Sequence, residues 1–287
     1  MDQFNPSILK QLYKPAKDSH KGQNGKLMII GGSMLFHGAS LWALEVASRI
    51  VDMVFYSSVA ENNDLVKKLK AEFRNGLVVP RDKIDHYMEE ADCILIGPGL
   101  PRSQGEEPGD DNTKELTTRL LTIYKDKQWV IDGGSLQTIQ PELIPPGAIL
   151  TPHQQEFERL FEEIRDKRKE IRSKTETNSL IAYHLSLITK KYHCTILLKG
   201  QTDIVCSVED CVEVSGGNPG MTKGGTGDVL AGLVAALACK NNPFLAAAAG
   251  SFINKKAGDE LYKRVGPYFN ASDLANEIPK VMKQYIV

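Results

Sequence analysis

The sequence has little excess charge of either sign and no long hydrophobic run. Its 287 residues include 35 Lys and Arg against 36 Asp and Glu, which gives a formal net charge of -1. Such a chain has no global field that attracts nucleic acid or an anionic membrane, so we expect neither partner. The longest apolar run, near residues 229–239, is too short to span a bilayer. The start of the chain lacks the apolar segment of a signal peptide, so we expect a cytoplasmic protein.

Cysteine is scarce, and its spacing excludes the common metal and redox motifs. The five cysteines are Cys93, Cys194, Cys206, Cys211 and Cys239. They form no CxxC pair, and none stands beside a histidine at ligand spacing. We therefore expect reduced thiols that fill the core or the strands, and no metal-ligand set from the protein.

Short apolar runs alternate with segments of helical periodicity. Four runs end directly at glycine: KLMII (26–30), CILI (93–96), WVID (129–132) and TILLK (195–199). Residues 39–50 and 65–73 have the spacing of helices. This order predicts parallel strands joined by crossover helices. We expect one α/β domain over residues 1–287, with ligands at the carboxyl ends of the strands.

Residues 154–174 form the most charge-dense stretch of the chain. Phe157, Leu160 and Ile164 recur within it at helical spacing. The pattern predicts one or two amphipathic helices with a solvated face rather than a binding site.

The strongest functional signal is a glycine-rich loop that leads into a helix of small residues. The loop, GGNPGMTKGGTGD, spans residues 216–228. Glycine lets the backbone turn tightly and approach a ligand, and the N–H groups at a helix start attract anions. We predict that Gly225, Thr226 and Gly227 form an anion hole for a phosphoryl group in transfer. The loop is not a Walker A motif, because no GK[ST] follows its glycines.

Asp228 follows these glycines in the predicted first turn of the helix. A carboxylate there can take a proton from an attacking hydroxyl. The alternative is plain helix capping, since Asp is common near helix starts. The long loop before Asp228 and the small-residue helix after it favour the catalytic role.

Three further side chains stand at predicted strand ends. Lys199, in LLKGQTD before a predicted hairpin, can meet nucleotide phosphates, or the segment is an ordinary turn. His153, in LTPHQQEF, can hydrogen-bond a substrate amide or hydroxyl, or it caps the next helix. Asp132 can orient the substrate or a water on Mg²⁺, or it caps a helix.

Taken in order, several segments resemble the NAD(P)H-hydrate dehydratases that depend on ADP or ATP. These are HKGQNGKLMIIGGS, GPG, LTPHQQEFERLF, LLKGQTD and NPGMTKGGTGDVLAG, between residue 20 and about residue 260. The combination of TPHxxEF with NPGMxxGG[ST]GD is highly specific, whereas GGTGD is shared by many ribokinase-like kinases. The resemblance implies a ribokinase-like three-layer αβα sandwich with a mostly parallel central sheet.

The resemblance also implies an activity and a set of site residues. The family dehydrates the S form of hydrated NADH or NADPH, called NADHX and NADPHX, at the expense of ADP or ATP with Mg²⁺. The C6 hydroxyl is phosphorylated, and loss of phosphate restores the reduced nucleotide. The implied substrate contacts are Ala39, Gly99, His153 and Asp228, the last also acting as the base. The implied nucleotide contacts are Lys199, Gly200, Gln201, Thr202, Asp203 and Gly227.

Partners and departures follow from the same resemblance. It implies a homo-oligomer, with a tetramer as one form, and an NAD(P)H-hydrate epimerase on a separate chain. Pro101 stands where glycine usually follows GPGL, and Asn254 stands where histidine often precedes the AGD run. These departures leave the nucleotide preference and the subunit contacts open.

Two other functions compete with the dehydratase. One is a small-molecule kinase of the same fold that acts on a thiazole, pyrimidine or pyridoxal alcohol. The other is a non-catalytic nucleotide sensor. The TPHxxEF and NPGM segments favour the dehydratase over the kinase, and the intact Gly225, Gly227 and Asp228 argue against the sensor.

Overall fold

The computed structural model describes residues 1–102, 105–161 and 178–287, and ten strands lie within them. The strands are β1 (Asp2–Gln3), β2 (Lys26–Ile30), β3 (Met53–Ser57), β4 (Leu77–Val78), β5 (Cys93–Ile96), β6 (Gln128–Ile131), β7 (Ile149–Leu150), β8 (Thr195–Leu198), β9 (Asp203–Cys206) and β10 (Cys211–Val214). They form one sheet in the order β1-β10-β9-β8-β7-β6-β5-β2-β3-β4. Among the described pairs, those of β9 with β8 and β10 are antiparallel and the others are parallel. The predicted mostly parallel sheet is confirmed.

Ten α-helices lie within the described residues. They are α1 (His37–Ala47), α2 (Ala60–Lys68), α3 (Ile84–Glu90), α4 (Thr113–Ile123), α5 (Gly133–Leu136), α6 (Gln154–Leu160), α7 (Asn178–Tyr192), α8 (Thr226–Ala238), α9 (Pro243–Val265) and α10 (Ala271–Ile286). The helix predicted over residues 65–73 starts earlier, as α2, and passes into a 3₁₀ turn at Leu69–Ala71. None of the described helices is long and apolar enough to cross a membrane.

Alternate residues of the central strands face two separate hydrophobic cores. In β2, Leu27 and Ile29 belong to the core that also contains α1, α8, α9 and α10. Met28 and Ile30 belong to the core that contains α3 to α7. Because helices cover both faces, the central strands read as continuous apolar runs. The three-layer αβα sandwich is confirmed.

The carboxyl ends of five neighbouring parallel strands meet at one edge of the sheet. These strands are β2, β5, β6, β7 and β8. The segments that follow them begin at Gly31, Gly97, Asp132, Thr151 and Lys199. The fold therefore gathers most of the predicted site residues at this edge.

The prediction that all cysteines are reduced was wrong for one pair. Cys206 and Cys211 form a disulfide. The two residues are direct partners in the antiparallel register of β9 and β10, so the hairpin brings their sulfurs together. The other three cysteines, Cys93, Cys194 and Cys239, are free and buried, as expected.

The charge-dense stretch begins as a helix. Phe157 and Leu160 of α6 are buried, as the predicted amphipathic pattern requires. The rest of the prediction, over residues 162–174, lies outside the described residues.

Candidate active site

The glycine-rich loop ends in a tight corner at the start of α8. Gly225 is the N-cap residue and has φ +94°. A Cβ on Gly225 would lie 2.5 Å from carbon atoms of the Trp42 ring, so the corner has no room for a side chain. The Thr226 hydroxyl donates to the carbonyls of Met221 at 2.7 Å and Lys223 at 2.9 Å, which fixes the loop to the helix.

Gly227 and the Lys199 ammonium lie on opposite sides of a narrow space at the start of α8. A Cβ on Gly227 would lie 3.8 Å from Lys199 Nζ. The first N–H groups of a helix have no intrahelical acceptor, and the helix dipole adds partial positive charge there. This corner therefore combines helix N–H groups with a full positive charge, as a bound phosphate requires.

Asp228 is the third residue of α8 and is partly buried. Because Gly225 holds the N-cap position, Asp228 does not cap the helix, and the capping alternative is wrong. Burial and the charge of Asp132 raise the pKa of Asp228 to about 7, although the charge of Lys199 opposes the rise. A carboxyl with this pKa can accept and release a proton near neutral pH.

Asp132 and Lys199 form an ion pair where β6 and β8 end. Lys199 Nζ lies 2.9 Å from Asp132 Oδ1, and the Thr151 hydroxyl donates to the same oxygen at 2.8 Å. Asp132 occupies the N-cap position of α5, but its side chain makes no capping hydrogen bond there. Burial acts to lower the pKa of Lys199, but the charges of Asp132, Glu156 and Asp228 and the hydrogen bond to Asp132 together outweigh it, so the pKa lies above its ordinary value.

His153 does cap a helix, which was the alternative to substrate binding. Its Nδ1 accepts from the Glu156 N–H at 3.2 Å, and Glu156 Oε2 accepts from the His153 N–H at 2.9 Å. The cap leaves Nε2 on a side chain that is 49% exposed. That side chain lines a cavity of about 480 Å³ with Arg102 and Arg159. His153 is therefore able both to cap α6 through Nδ1 and to contact a substrate through Nε2.

The structure brings the predicted substrate residues Ala39 and Gly99 together. Gly99 has φ +71°, and a Cβ there would lie 2.9 Å from Ala39 Cβ. Ala39 lies in the first turn of α1. The Gly32 N–H donates to the Pro98 carbonyl at 2.7 Å, which ties the two strand-end turns together.

A cleft of about 680 Å³ extends from Lys199 and Gly227. The turn between β8 and β9 forms one wall, through Gly200, Gln201 and Asp203. The glycine-rich loop forms the other wall. Of the described residues predicted to bind nucleotide, Thr202 does not line this cleft.

Lys255 holds the two walls of this cleft together and was missed from the sequence. Its Nζ donates to the carbonyls of Gly200 at 3.0 Å, Gln201 at 2.9 Å and Gly216 at 3.3 Å. It also lies 3.2 Å from Asp203 Oδ1, in a pair whose side chains are 8% and 6% exposed. The Asp203 carboxylate therefore stabilises the turn between β8 and β9 through its contacts with Lys255 and the Gly200 N–H.

A signal for this network does exist in the sequence. Ser251, Lys255 and Asp259 are spaced by four residues along α9, so they share one helix face. Ser251 donates to Asp203 Oδ2 at 2.7 Å, and Asp259 accepts from the Gly217 N–H at 3.3 Å. A polar stripe on a helix of small buried residues predicts such a contact.

The two positions that depart from the family pattern lie in different places. Pro101 is buried, and its carbonyl would lie 2.8 Å from a Cβ on Gly134. Asn254 lines the cleft described above. The departure at Asn254 therefore lies in the cleft, whereas the departure at Pro101 does not.

The described part of the chain contains no group of three or more His, Cys, Asp or Glu side chains that could hold a metal ion. The two carboxylates of Asp132 and Asp228 fit the chemistry of Mg²⁺, which typically keeps several waters and uses one or two protein carboxylates plus substrate phosphates. Asp132 and Asp228 are the carboxylates near the glycine corner.

Comparison with known structures agrees with the fold. A ribokinase-like superfamily protein from Enterococcus faecalis superposes with a TM-score of 0.82 at 24% identity, covering 99% of this chain and 96% of that one. The ADP/ATP-dependent NAD(P)H-hydrate dehydratase of Bacillus subtilis, co-crystallised with ATP and Mg²⁺, gives 0.79 at 23% identity, covering 99% and 98%. The ribokinase-like fold is confirmed.

Sequence comparison identifies the family. The bifunctional NAD(P)H-hydrate repair enzyme of Methanocaldococcus jannaschii is 36% identical over 96% of this chain, which spans 51% of that relative's length. The ADP-dependent (S)-NAD(P)H-hydrate dehydratase of Nitrosopumilus maritimus is 33% identical over 93% of this chain and 91% of its own. The family model described as NAD(P)H-hydrate dehydratase matches residues 27–280. The chain therefore belongs to the NAD(P)H-hydrate dehydratase family.

Proposed function

We propose that this protein dehydrates the S form of NADHX or NADPHX to NADH or NADPH at the expense of ADP or ATP. The observation that carries the proposal is the position of Asp228, whose pKa is about 7, in the first turn of α8 beside Gly227 and Lys199. The name of the Nitrosopumilus maritimus relative, an ADP-dependent (S)-NAD(P)H-hydrate dehydratase, supports the same reaction.

Binding would use both sides of the glycine corner. We place the nucleotide in the 680 Å³ cleft, with its terminal phosphate against Lys199 and the first N–H groups of α8. The hydrated dinucleotide would lie against Ala39 and Gly99, with His153 donating a hydrogen bond through Nε2, since its Nδ1 is the acceptor of the cap. In this placement Asp228 would stand between the two ligands, where the C6 hydroxyl would meet the phosphoryl group.

The first chemical step is phosphoryl transfer. Asp228 takes the proton of the C6 hydroxyl while the hydroxyl oxygen attacks the terminal phosphorus. The bond from that phosphorus to the nucleotide breaks, so ADP leaves as AMP, or ATP as ADP. The Gly225–Gly227 backbone and Lys199 stabilise the charge on the migrating group.

The second step is elimination. Hydroxide is a poor leaving group and phosphate a good one, so the C6–O bond breaks readily once its oxygen carries the phosphoryl group. The lone pair of the ring nitrogen N1 forms a double bond to C6, and phosphate departs with the C–O electron pair. Loss of the C5 proton then forms the C5–C6 double bond and restores the dihydropyridine ring.

Magnesium fits this scheme as part of the nucleotide complex. When bound, Mg²⁺ neutralises charge on the nucleotide phosphates. Asp132 would orient one of the waters on Mg²⁺, and Asp228 is a second carboxylate near the glycine corner. The protein's own positive charge at the terminal phosphate would come from Lys199.

Incubation of the purified protein with (S)-NADHX and Mg²⁺, with ADP or ATP, tests the proposal. The expected result is recovery of NADH absorbance with release of one phosphate per NADH. A kinase acting on a thiazole, pyrimidine or pyridoxal alcohol would instead accumulate a phosphorylated product and leave NADHX unchanged. A nucleotide sensor would bind ADP or ATP with no turnover of any substrate.

We further propose that the protein is a cytoplasmic homo-oligomer that works with an NAD(P)H-hydrate epimerase on a separate chain. Sedimentation velocity and cell fractionation test the first part. For the second, an equal mixture of both NADHX epimers should stop at half conversion and reach completion when epimerase is added. Full conversion without epimerase would contradict the partnership.

A further inference from the structure

Asn254 is a buried amide in the wall of the nucleotide cleft. It lies on α9, one residue before Lys255, and is 4% exposed. Its Oδ1 has no hydrogen-bond partner among the described residues. Asn254 therefore differs from Lys255, Asp203 and Ser251, whose polar atoms are engaged within the protein.

A buried amide oxygen without a donor is costly. Leaving such a group unpaired is more unfavourable than replacing it by an apolar side chain of similar shape. Asparagine at this position thus lowers the stability of the unliganded protein relative to leucine. A ligand that supplies the missing donor would remove this cost.

The lining of the cleft indicates which part of a nucleotide Asn254 meets. Besides Lys199 and Gly227, where we place the terminal phosphate, the lining includes the apolar residues Pro219, Met221 and Leu230. Flat apolar rings with polar edges fit such a lining. Asn254 supplies an amide for that edge.

We infer that Asn254 recognises the adenine base of the nucleotide, with its amide oxygen accepting from the exocyclic N6 amine and its amide nitrogen donating to a neighbouring ring nitrogen. An amide and an adenine edge match in this way, one donor and one acceptor on each side. The inference rests on the proposed function, which places ADP or ATP in this cleft.

The enclosed position of Oδ1 is compatible with this role. The last torsion of Asn254 has a broad profile, so a partial turn can bring Oδ1 to the base edge beside the amide nitrogen. The enclosed position offers Oδ1 no donor among the described residues, so turning toward a bound base costs it no hydrogen bond.

A cycle of ligand and protein changes tests the inference. Calorimetry would measure the Kd of ADP and of purine riboside 5′-diphosphate, which lacks the N6 amine, for the wild type and for Asn254→Leu. We expect the wild type to bind ADP about tenfold more tightly than the analogue, the effect of one neutral hydrogen bond. The leucine variant should bind the two within about twofold of each other, because no acceptor remains for the amine.

A control and a second variant keep the test decisive. Thr222→Val alters another residue of the cleft and should keep the tenfold preference. Asn254→Ala, which also lacks the amide, should behave as the leucine variant does and serves if leucine prevents folding. The unliganded leucine variant should not melt at a lower temperature than the wild type.

The outcomes separate this inference from the proposed function. If the wild type binds ADP but the preference survives in both Asn254 variants, the base-recognition role is wrong and the proposed function stands. Failure of the wild type to bind ADP or ATP would overturn the proposed function and the inference together.

Discussion

The Lys199 ammonium lies 2.9 Å from the Asp132 carboxylate, at the ends of two strands separated by β7. The pair sets the charge environment of Asp228, since Asp132 raises and Lys199 lowers the pKa of that carboxyl after burial has raised it. Two strands and one helix thus place a base, a cation and a second carboxylate around the glycine corner. The predictions below depend on this arrangement.

On the acidic side of the pH profile, the rise of kcat/KM should reflect the deprotonation of Asp228. Its pKa is about 7, so kcat/KM should rise as pH increases through that value, because the base is active only when deprotonated. Asp132→Asn removes a negative charge that disfavours ionisation, so the rise should move to lower pH even though the overall rate falls. Rates measured from about pH 5 to 9 check this. A rise that stays in place in Asp132→Asn would remove Asp132 from the electrostatics of the base.

Asp228→Asn should abolish most turnover while nucleotide binding persists. A general base contributes typically about 10²- to 10⁴-fold, so we expect a loss of that size in kcat. The Kd of ADP should change little, because the cleft walls remain intact. Steady-state rates and calorimetry measure the two effects. Asp64→Asn, at an exposed side chain, is the matched control, and a fully active Asp228→Asn would rule out Asp228 as the base.

Gly227→Val should weaken ADP and ATP binding strongly. A side chain there would enter the space between the first turn of α8 and Lys199 Nζ, where we place the terminal phosphate. Loss of one hydrogen bond to a charged group is worth about 1.5–3 kcal/mol, or roughly 10- to 100-fold in Kd. Gly224→Val is the control, because a Cβ there meets no atom within 4 Å. Equal affinity of the Gly227 variant and the control would place the phosphates elsewhere.

Lys255→Met should lower both stability and nucleotide affinity. It leaves the buried Asp203 carboxylate without its cation and frees three loop carbonyls. Breaking a buried pair in this way costs about 3–5 kcal/mol. Urea unfolding and ADP calorimetry measure the two losses. Lys256→Met is the matched control. Lys256 follows Lys255 in the chain, and its side chain pairs with Glu260 on the helix surface. We therefore expect this variant to lose less than about 1 kcal/mol of unfolding free energy. Similar losses in both variants would contradict the structural role of Lys255.

The sequence predicts the sheet well because of how the sheet is built. Strands covered on both faces carry continuous apolar runs. The glycines that follow these runs mark the carboxyl ends of the strands, where ligands bind in such sheets. The runs at Lys26–Ile30 and Cys93–Ile96 are strands in the structure, with the predicted bounds. The start of α2 was missed because Asn62 and Asn63 are buried polar residues that hydrogen-bond Ser58, which interrupts the apolar spacing.

The site was predicted where the chemistry is local and missed where it is not. The glycine corner and Asp228 are contiguous in the chain, so the sequence displays them together. Lys255 acts on Gly200 across 55 residues, and the disulfide depends on the hairpin register. For His153, local sequence offered capping and substrate contact as alternatives, although Nδ1 caps the helix while the side chain also lines a cavity.

The fate of the C6 oxygen tests the central claim most directly, since phosphoryl transfer from the nucleotide to the C6 hydroxyl precedes dehydration in this account. (S)-NADHX prepared with ¹⁸O in that hydroxyl would be converted with ADP or ATP, and the released phosphate analysed by mass spectrometry. We predict that the ¹⁸O appears in inorganic phosphate, because the C6–O bond breaks after the oxygen has joined phosphorus. Recovery of the label in water would contradict the account.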